Sequence, residues 1–144
     1  MNAIVTTARD WIGTPYRHQA SCKGAGCDCL GLILGLWRTH IGPLPEPVPA
    51  YSADWSEPQG REDLFDAALR HFTPKPLSDA ALGDLILFRM RDGSVAKHLG
   101  LQSQIGAHPA FIHSYTGHGV IESRLTPPWA RRIAARFSFP ERGL

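Results

Sequence analysis

The segment KGAGCDCLGLILGLW, Lys23 to Trp37, sets Cys27 and Cys29 on either side of an acid and directly ahead of an apolar run. Cys22 lies a short way upstream. Three chemistries are open to such residues: metal ligation, a disulfide, or a thiol nucleophile. The spacing Cys22-x4-Cys27-x-Cys29 lacks the close cysteine pairs of zinc sites, although His18 could add a fourth ligand. A Cys22–Cys27 disulfide would leave Cys29 free, and an odd cysteine count without a secretory context points to free thiols. At the first turn of a helix, Cys29 would meet unpaired N–H groups and the positive end of the helix dipole. Both favour a thiolate, and the same N–H groups can face an oxyanion. The plain alternative is that Cys29 is a small buried hydrophobe.

A thiol nucleophile needs a base within hydrogen-bond reach and a group that orients the base. The chain has seven histidines. His18, His108 and His118 fall in loops. His40 and His71 fall near helix C-termini, where positive charge is welcome. His98 and His113 instead lie inside strand patterns. His98 shares a face with Gly100, which leaves space beside it, and His113 shares a face with Phe111 and Tyr115. Each taken singly reads as a structural histidine. On consecutive strands, however, the two imidazoles can stand side by side and hydrogen-bond.

The elements that must position these groups follow from periodicity. Residues 2–12 form a short helix with Ile4, Ala8, Trp11 and Ile12 as its apolar stripe, broken by GTPY. Residues 17–28 form a polar loop. From Cys29 onward Leu30, Ile33, Leu34 and Trp37 fall at helical spacing, and Leu32 and Leu36 widen the stripe. Asp28 or Cys27 is placed to cap that helix, and Gly42-Pro43 to end it. Residues 43–60 are a Pro-rich insert that reads as an extended connector. REDLFDAALRHF (61–72) is a further amphipathic helix. Five strands follow at 84–90, 96–103, 110–116, 119–125 and 132–139, the first four separated by glycine-bearing turns. Helices first and an antiparallel meander after them make an α+β domain that takes in all of 1–144.

Composition excludes other classes. The 144 residues are 43% hydrophobic and 19% charged, with net charge +2. That charge is too mild to argue for nucleic acid, and no apolar run reaches membrane-spanning length. Arg124, Arg131, Arg132, Arg136 and Arg142 crowd the C-terminal end and read as a solvated basic face. The N-terminus lacks the basic and apolar regions of a signal peptide, so synthesis in the cytoplasm without export is the expectation.

With these residues in place, the sequence resembles the NlpC/P60 cysteine peptidases of bacterial cell walls. WIGTPY (11–16), DCLGL (28–32), GDLILF (83–88), HLGL (98–101) and FIHS (111–114) match the family's motifs in order, across nearly the whole chain. The resemblance implies a papain-like fold with Cys29 as nucleophile, His98 as general base and His113 as the residue that orients it. It implies that Tyr16 helps bind the substrate carbonyl or oxyanion, and that Asp28 has a structural or amine-binding role. It implies no cofactor and no metal. Leu30 departs from the family, which has serine there, and the 43–60 insert is longer than in minimal domains. GCDCLGL together with YSADW resembles a compact phage-type subgroup found in tail gene clusters of prophages and gene transfer agents. The implied activity is hydrolysis of the peptidoglycan stem peptide between D-γ-glutamate and meso-diaminopimelate. The implied partners are tail tip or hub proteins, with the particle carrying the enzyme to the target cell's wall. Trp55 and Trp129 are candidate groove aromatics. A hub or adaptor with little turnover, and an amidase or acyltransferase on the same scaffold, are the competing readings.

Overall fold

The structure, a computed structural model, describes residues 2–48 and 62–140. Trp55, Arg142 and most of the Pro-rich insert lie outside the described residues. Helix α1 runs Ala3–Asp10, and the Asn2 side chain accepts the Val5 N–H at 3.0 Å to start it. Val5, Ala8 and Trp11 are buried, whereas Ile12, expected in the stripe, is 44% exposed. The helix stops at Asp10, and the following turn carries Ile12 outward.

A small hairpin, β1 (Ser21–Cys22) and β2 (Gly26–Cys27), occupies the stretch expected to be loop; two-residue strands carry no periodicity to read. Helix α2 runs Cys29–His40 with Asp28 as its N-cap. Leu32, Ile33, Leu36 and Trp37 are buried, and Leu30 and Leu34 are half-buried. Two small residues let α2 sit where it does. A Cβ on Gly35 would come within 2.3 Å of the Trp11 ring, and one on Gly31 within 1.8 Å of the Ala20 carbonyl oxygen. The first contact sets the approach of α1 to α2, and the second presses the preceding loop onto the start of α2. Helix α3 covers Asp63–His71.

The remaining strands are β3 (Thr73–Lys75), β4 (Leu85–Arg89), β5 (Ala96–Gln104), β6 (Ala110–Tyr115), β7 (Gly119–Arg124) and β8 (Ile133–Ser138), with the short helix α4 (Pro127–Ala130) before β8. They form one six-stranded sheet in the order β3-β8-β4-β5-β6-β7. All its pairings are antiparallel. The α+β class with helices ahead of the sheet is the one expected. Two details differ. The meander holds only for β4 to β7, after which β8 returns to the other side of β4. β3 is an additional strand masked by Pro74 within it and Pro76 just after it; Pro74 is tolerated because β3 lies at the sheet edge.

Strand alternation divides the sheet into two faces. Leu85, Leu87, Leu99, Leu101, Ile112 and Phe137 join Val5, Leu32, Leu36 and Leu64 in the main core. Ile86, Phe88 and Phe111 form a second cluster, covered by Trp129 of α4 and by Ile133. His98 pairs in register with Phe88 and so belongs to this second face.

One member of the expected basic face is not at the surface at all. Arg136 is 3% exposed. Its Nη1 donates to Asp84 at 3.0 Å and to Gln102 at 2.7 Å, and its Nε donates to the Leu77 carbonyl. Asp84 also accepts from Lys75 and from the Ala81 N–H. The aspartate of GDLILF therefore ties β8, β5, β3 and the turn before β4 together. Removing one member of such a buried network strands the others without partners. Asp84→Ala is expected to cost about 3–5 kcal/mol. Urea unfolding of the two proteins measures the difference.

Candidate active site

Cys29 occupies the first turn of α2 because Asp28 stops the chain there. Asp28 is buried, with both carboxylate oxygens engaged: Oδ1 accepts the Gly31 N–H at 2.7 Å and Oδ2 the Gln19 N–H at 2.8 Å. His18, the conceivable fourth metal ligand, stands 3.8 Å from the same carboxylate. Among the described residues no group of three or more His, Cys, Asp or Glu is arranged to hold a metal ion. All three cysteines are free thiols, with Cys22 exposed, Cys27 buried and Cys29 between.

The Cys29 thiol faces β5, 3.9 Å from the Lys97 carbonyl, immediately before His98. The backbone N–H groups of Cys29, Leu30 and Leu99 also bear on the sulfur. His98 Nε2 lies 2.7 Å from His113 Nδ1. That bond uses Nε2 of His98, so any proton exchange with a thiol falls to Nδ1. His113 Nε2 in turn lies 2.9 Å from the Ser123 hydroxyl. The two imidazoles meet edge to face across β5 and β6, 5.0 Å between centroids. Phe111 packs 4.3 Å from His113, and Trp129 covers both rings at 5.8 and 5.3 Å. The space expected beside His98 at Gly100 is filled: a Cβ there would come within 2.7 Å of the Phe111 ring.

Tyr16 reaches the site through backbone. It bridges to Cys27, with Cys27 N–H donating to the Pro15 carbonyl and Arg17 N–H to the Cys27 carbonyl, each at 3.0 Å. The Ser114 hydroxyl donates to that same Cys27 carbonyl at 2.7 Å, joining the arm to β6. Burial and the neighbouring Cys29 and Asp28 raise the Tyr16 pKa, while a hydrogen bond with Thr116 opposes the rise. Tyr16 therefore remains a hydroxyl donor at neutral pH.

The electrostatics differ from the expected thiolate. Burial pushes the Cys29 thiol up to about 12, and the Asp28 charge adds to the rise; the first-turn N–H groups act the other way and lose. Burial likewise depresses His98 to about 3, with His113 contributing, and His113 to about 4. The thiol and both imidazoles are thus neutral at rest. Cys27, buried and pushed up to about 11, is a packing residue.

Cys29 lies against the β5 backbone on either side of His98, Tyr16 comes near Cys29, His98 and His113 are hydrogen-bonded to each other, and Asp28 caps α2. Of the two candidate aromatics, Trp129 lies on the histidines. Ser123 was not singled out by sequence. Its signal is the hairpin register: with His113 opposite Ile121 and Phe111 opposite Ser123, the serine falls diagonally within reach of the imidazole.

No protein-family model matches the sequence, and no curated protein matches it. Solved structures do. An NlpC/P60 family protein from Bacillus cereus ATCC 10987 is 24% identical with a TM-score of 0.63, over 94% of this chain and 39% of that one. A Staphylococcus aureus Mu50 protein described as similar to lipoprotein, NLP/P60 family, is 19% identical with a TM-score of 0.60, over 94% of this chain and 40% of that one. The chain has the fold of these NlpC/P60 proteins and spans about two fifths of their length.

Two histidines held neutral have a consequence for stability. In the unfolded chain they titrate near the ordinary value of about 6.5, so on acidification the unfolded state takes up protons first. Their contribution is full above that pH and is lost as pH falls towards the folded values of about 3 and 4. The loss is about 1.4 kcal/mol per pH unit for each histidine. Denaturant titrations between pH 6.5 and 5 are expected to show this slope, and His113→Asn to reduce it by about half.

Proposed function

We propose that this protein is a cysteine peptidase that hydrolyses the peptidoglycan stem peptide. The observation that carries the reading is the 2.7 Å bond between His98 Nε2 and His113 Nδ1, together with a cysteine at a helix N-terminus whose sulfur meets β5 at the residue before His98. A base with one nitrogen held by an orienting group and the other turned loose is the arrangement general-base activation of a thiol needs. The NlpC/P60 fold and the five ordered motifs support the choice of wall peptide over ordinary protein.

The chemistry is acyl transfer in two halves. As Cys29 Sγ attacks the carbonyl carbon, its proton passes to His98 Nδ1, and the carbonyl oxygen becomes an oxyanion. The Tyr16 hydroxyl and the first-turn N–H groups of α2 stabilise that charge. On collapse the C–N bond breaks, and His98 returns the proton to the leaving amine. The thioester is then attacked by water, which gives a proton to His98; the acid product leaves and the proton goes back to the sulfur. Because the resting thiol is neutral, proton transfer and attack are coupled. Trp129, lying on both imidazoles, keeps bulk water from them and preserves the hydrogen bond between them.

The bond proposed is that between D-γ-glutamate and meso-diaminopimelate. The setting proposed is a phage-like tail whose tip or hub proteins carry the enzyme to the target wall. The bond rests on the resemblance to the NlpC/P60 family as a whole, and the setting on the resemblance of GCDCLGL with YSADW to its phage-type subgroup.

Defined muropeptides incubated with purified protein under reducing conditions, with products read by mass spectrometry, test the reading. Wild type is expected to cut at that one bond. Cys29→Ala is expected to abolish cleavage, and Tyr16→Phe to lower kcat by about a hundredfold, the scale of a lost oxyanion donor. Cleavage that survives in Cys29→Ala would overturn the mechanism. Absence of cleavage by wild type across all wall peptides would overturn the substrate.

A further inference from the structure

We propose that Ser123 is a positioning residue of this site, the terminal acceptor that keeps the His98–His113 pair in its proton-accepting arrangement. The inference rests on the acyl-transfer reading above and adds a fourth member to the relay. Two hydrogen bonds join three side chains in a row: His98 Nε2 to His113 Nδ1 at 2.7 Å and His113 Nε2 to Ser123 Oγ at 2.9 Å.

A neutral imidazole carries one proton, so the pair has two self-consistent arrangements. In one, His98 carries its proton on Nε2 and donates to His113 Nδ1, and His113 donates from Nε2 to the serine oxygen. Nδ1 of His98 is then an open acceptor for the thiol proton. In the other, the serine hydroxyl donates to His113 Nε2, His113 donates from Nδ1 to His98 Nε2, and His98 Nδ1 already holds a proton. The second arrangement cannot act as a base. Once His98 has taken the thiol proton it holds two, and Nε2–H must donate to His113 Nδ1. Only the first arrangement allows this, and it requires an acceptor at His113 Nε2. His113 is fully buried, so without the serine oxygen that N–H has no partner. A buried unpaired donor costs more than a buried bare ring nitrogen, so loss of the hydroxyl drives the pair to the inert arrangement.

Ser123 sits where a strand residue can do this. It is half-buried on β7, opposite Phe111 in register and diagonal to His113. A role limited to filling space would be met by any residue of the same shape.

The test compares Ser123→Thr with Ser123→Val, which match in shape and differ in the hydroxyl. Nitrogen-15 NMR of the histidine rings reads the tautomers directly and does not depend on turnover; proton–nitrogen dispersion checks the fold of each variant. Wild type and the Thr variant are expected to hold His113 protonated at Nε2. The Val variant is expected to shift both rings to Nδ1-protonated forms and, on muropeptide, to lose roughly tenfold in kcat at unchanged KM. If the Val variant misfolds, Ser123→Ala takes its place. Unchanged tautomers without the hydroxyl would overturn the proposal. A tautomer shift in protein that cleaves no muropeptide would uphold Ser123 and place the error in the substrate.

Discussion

The site depends on one carboxylate. Asp28 accepts from Gly31 N–H within the helix and from Gln19 N–H in the preceding loop, so it fixes both where α2 begins and how the loop approaches it. Cys29 is the next residue and has no freedom left. Through Cys27 the same turn holds the Tyr16 arm, and Gly31 is small because the Ala20 carbonyl lies where a side chain would start. The carboxylate also has an electrostatic effect: its charge adds to the burial that holds the sulfur as a thiol. One cap thus sets the geometry and reinforces the protonation state.

The sheet supplies the other half. Its helical face makes the main core and holds α2 rigidly; its second face is aromatic and carries both histidines. Phe88, Phe111 and Trp129 surround the imidazoles closely enough to keep them neutral. Base strength is given up to dryness, which is tolerable only if the proton moves during attack and the resulting imidazolium is met at once by His113. The buried Asp84–Arg136–Gln102 network locks the strands whose register the histidine pair needs.

Much of this was legible in the sequence. The helix beginning at Cys29 and the strands bearing His98 and His113 follow from spacing, because helical and strand periods put each side chain on a definite face. What escaped had physical causes. β3 was hidden by prolines that a sheet edge tolerates. Arg136 looked like surface because it stands in a run of arginines, whereas its burial comes from Leu77 and Asp84, brought to β8 from the segment before β4. The thiolate expectation weighed the helix dipole and not desolvation, a tertiary quantity. Ser123 needed the hairpin register, set by the turn at Gly117–Gly119.

The central claim is that burial holds Cys29 as a thiol until the imidazole takes its proton during attack. Alkylation of the ligand-free protein by iodoacetamide, followed at the Cys29 peptide by mass spectrometry from pH 5 to 9, tests it most directly. A thiol pushed up to about 12 predicts a rate that climbs about tenfold per pH unit across the whole range without levelling. A fast rate that is flat from the acid end would reveal a standing thiolate–imidazolium pair and contradict the account.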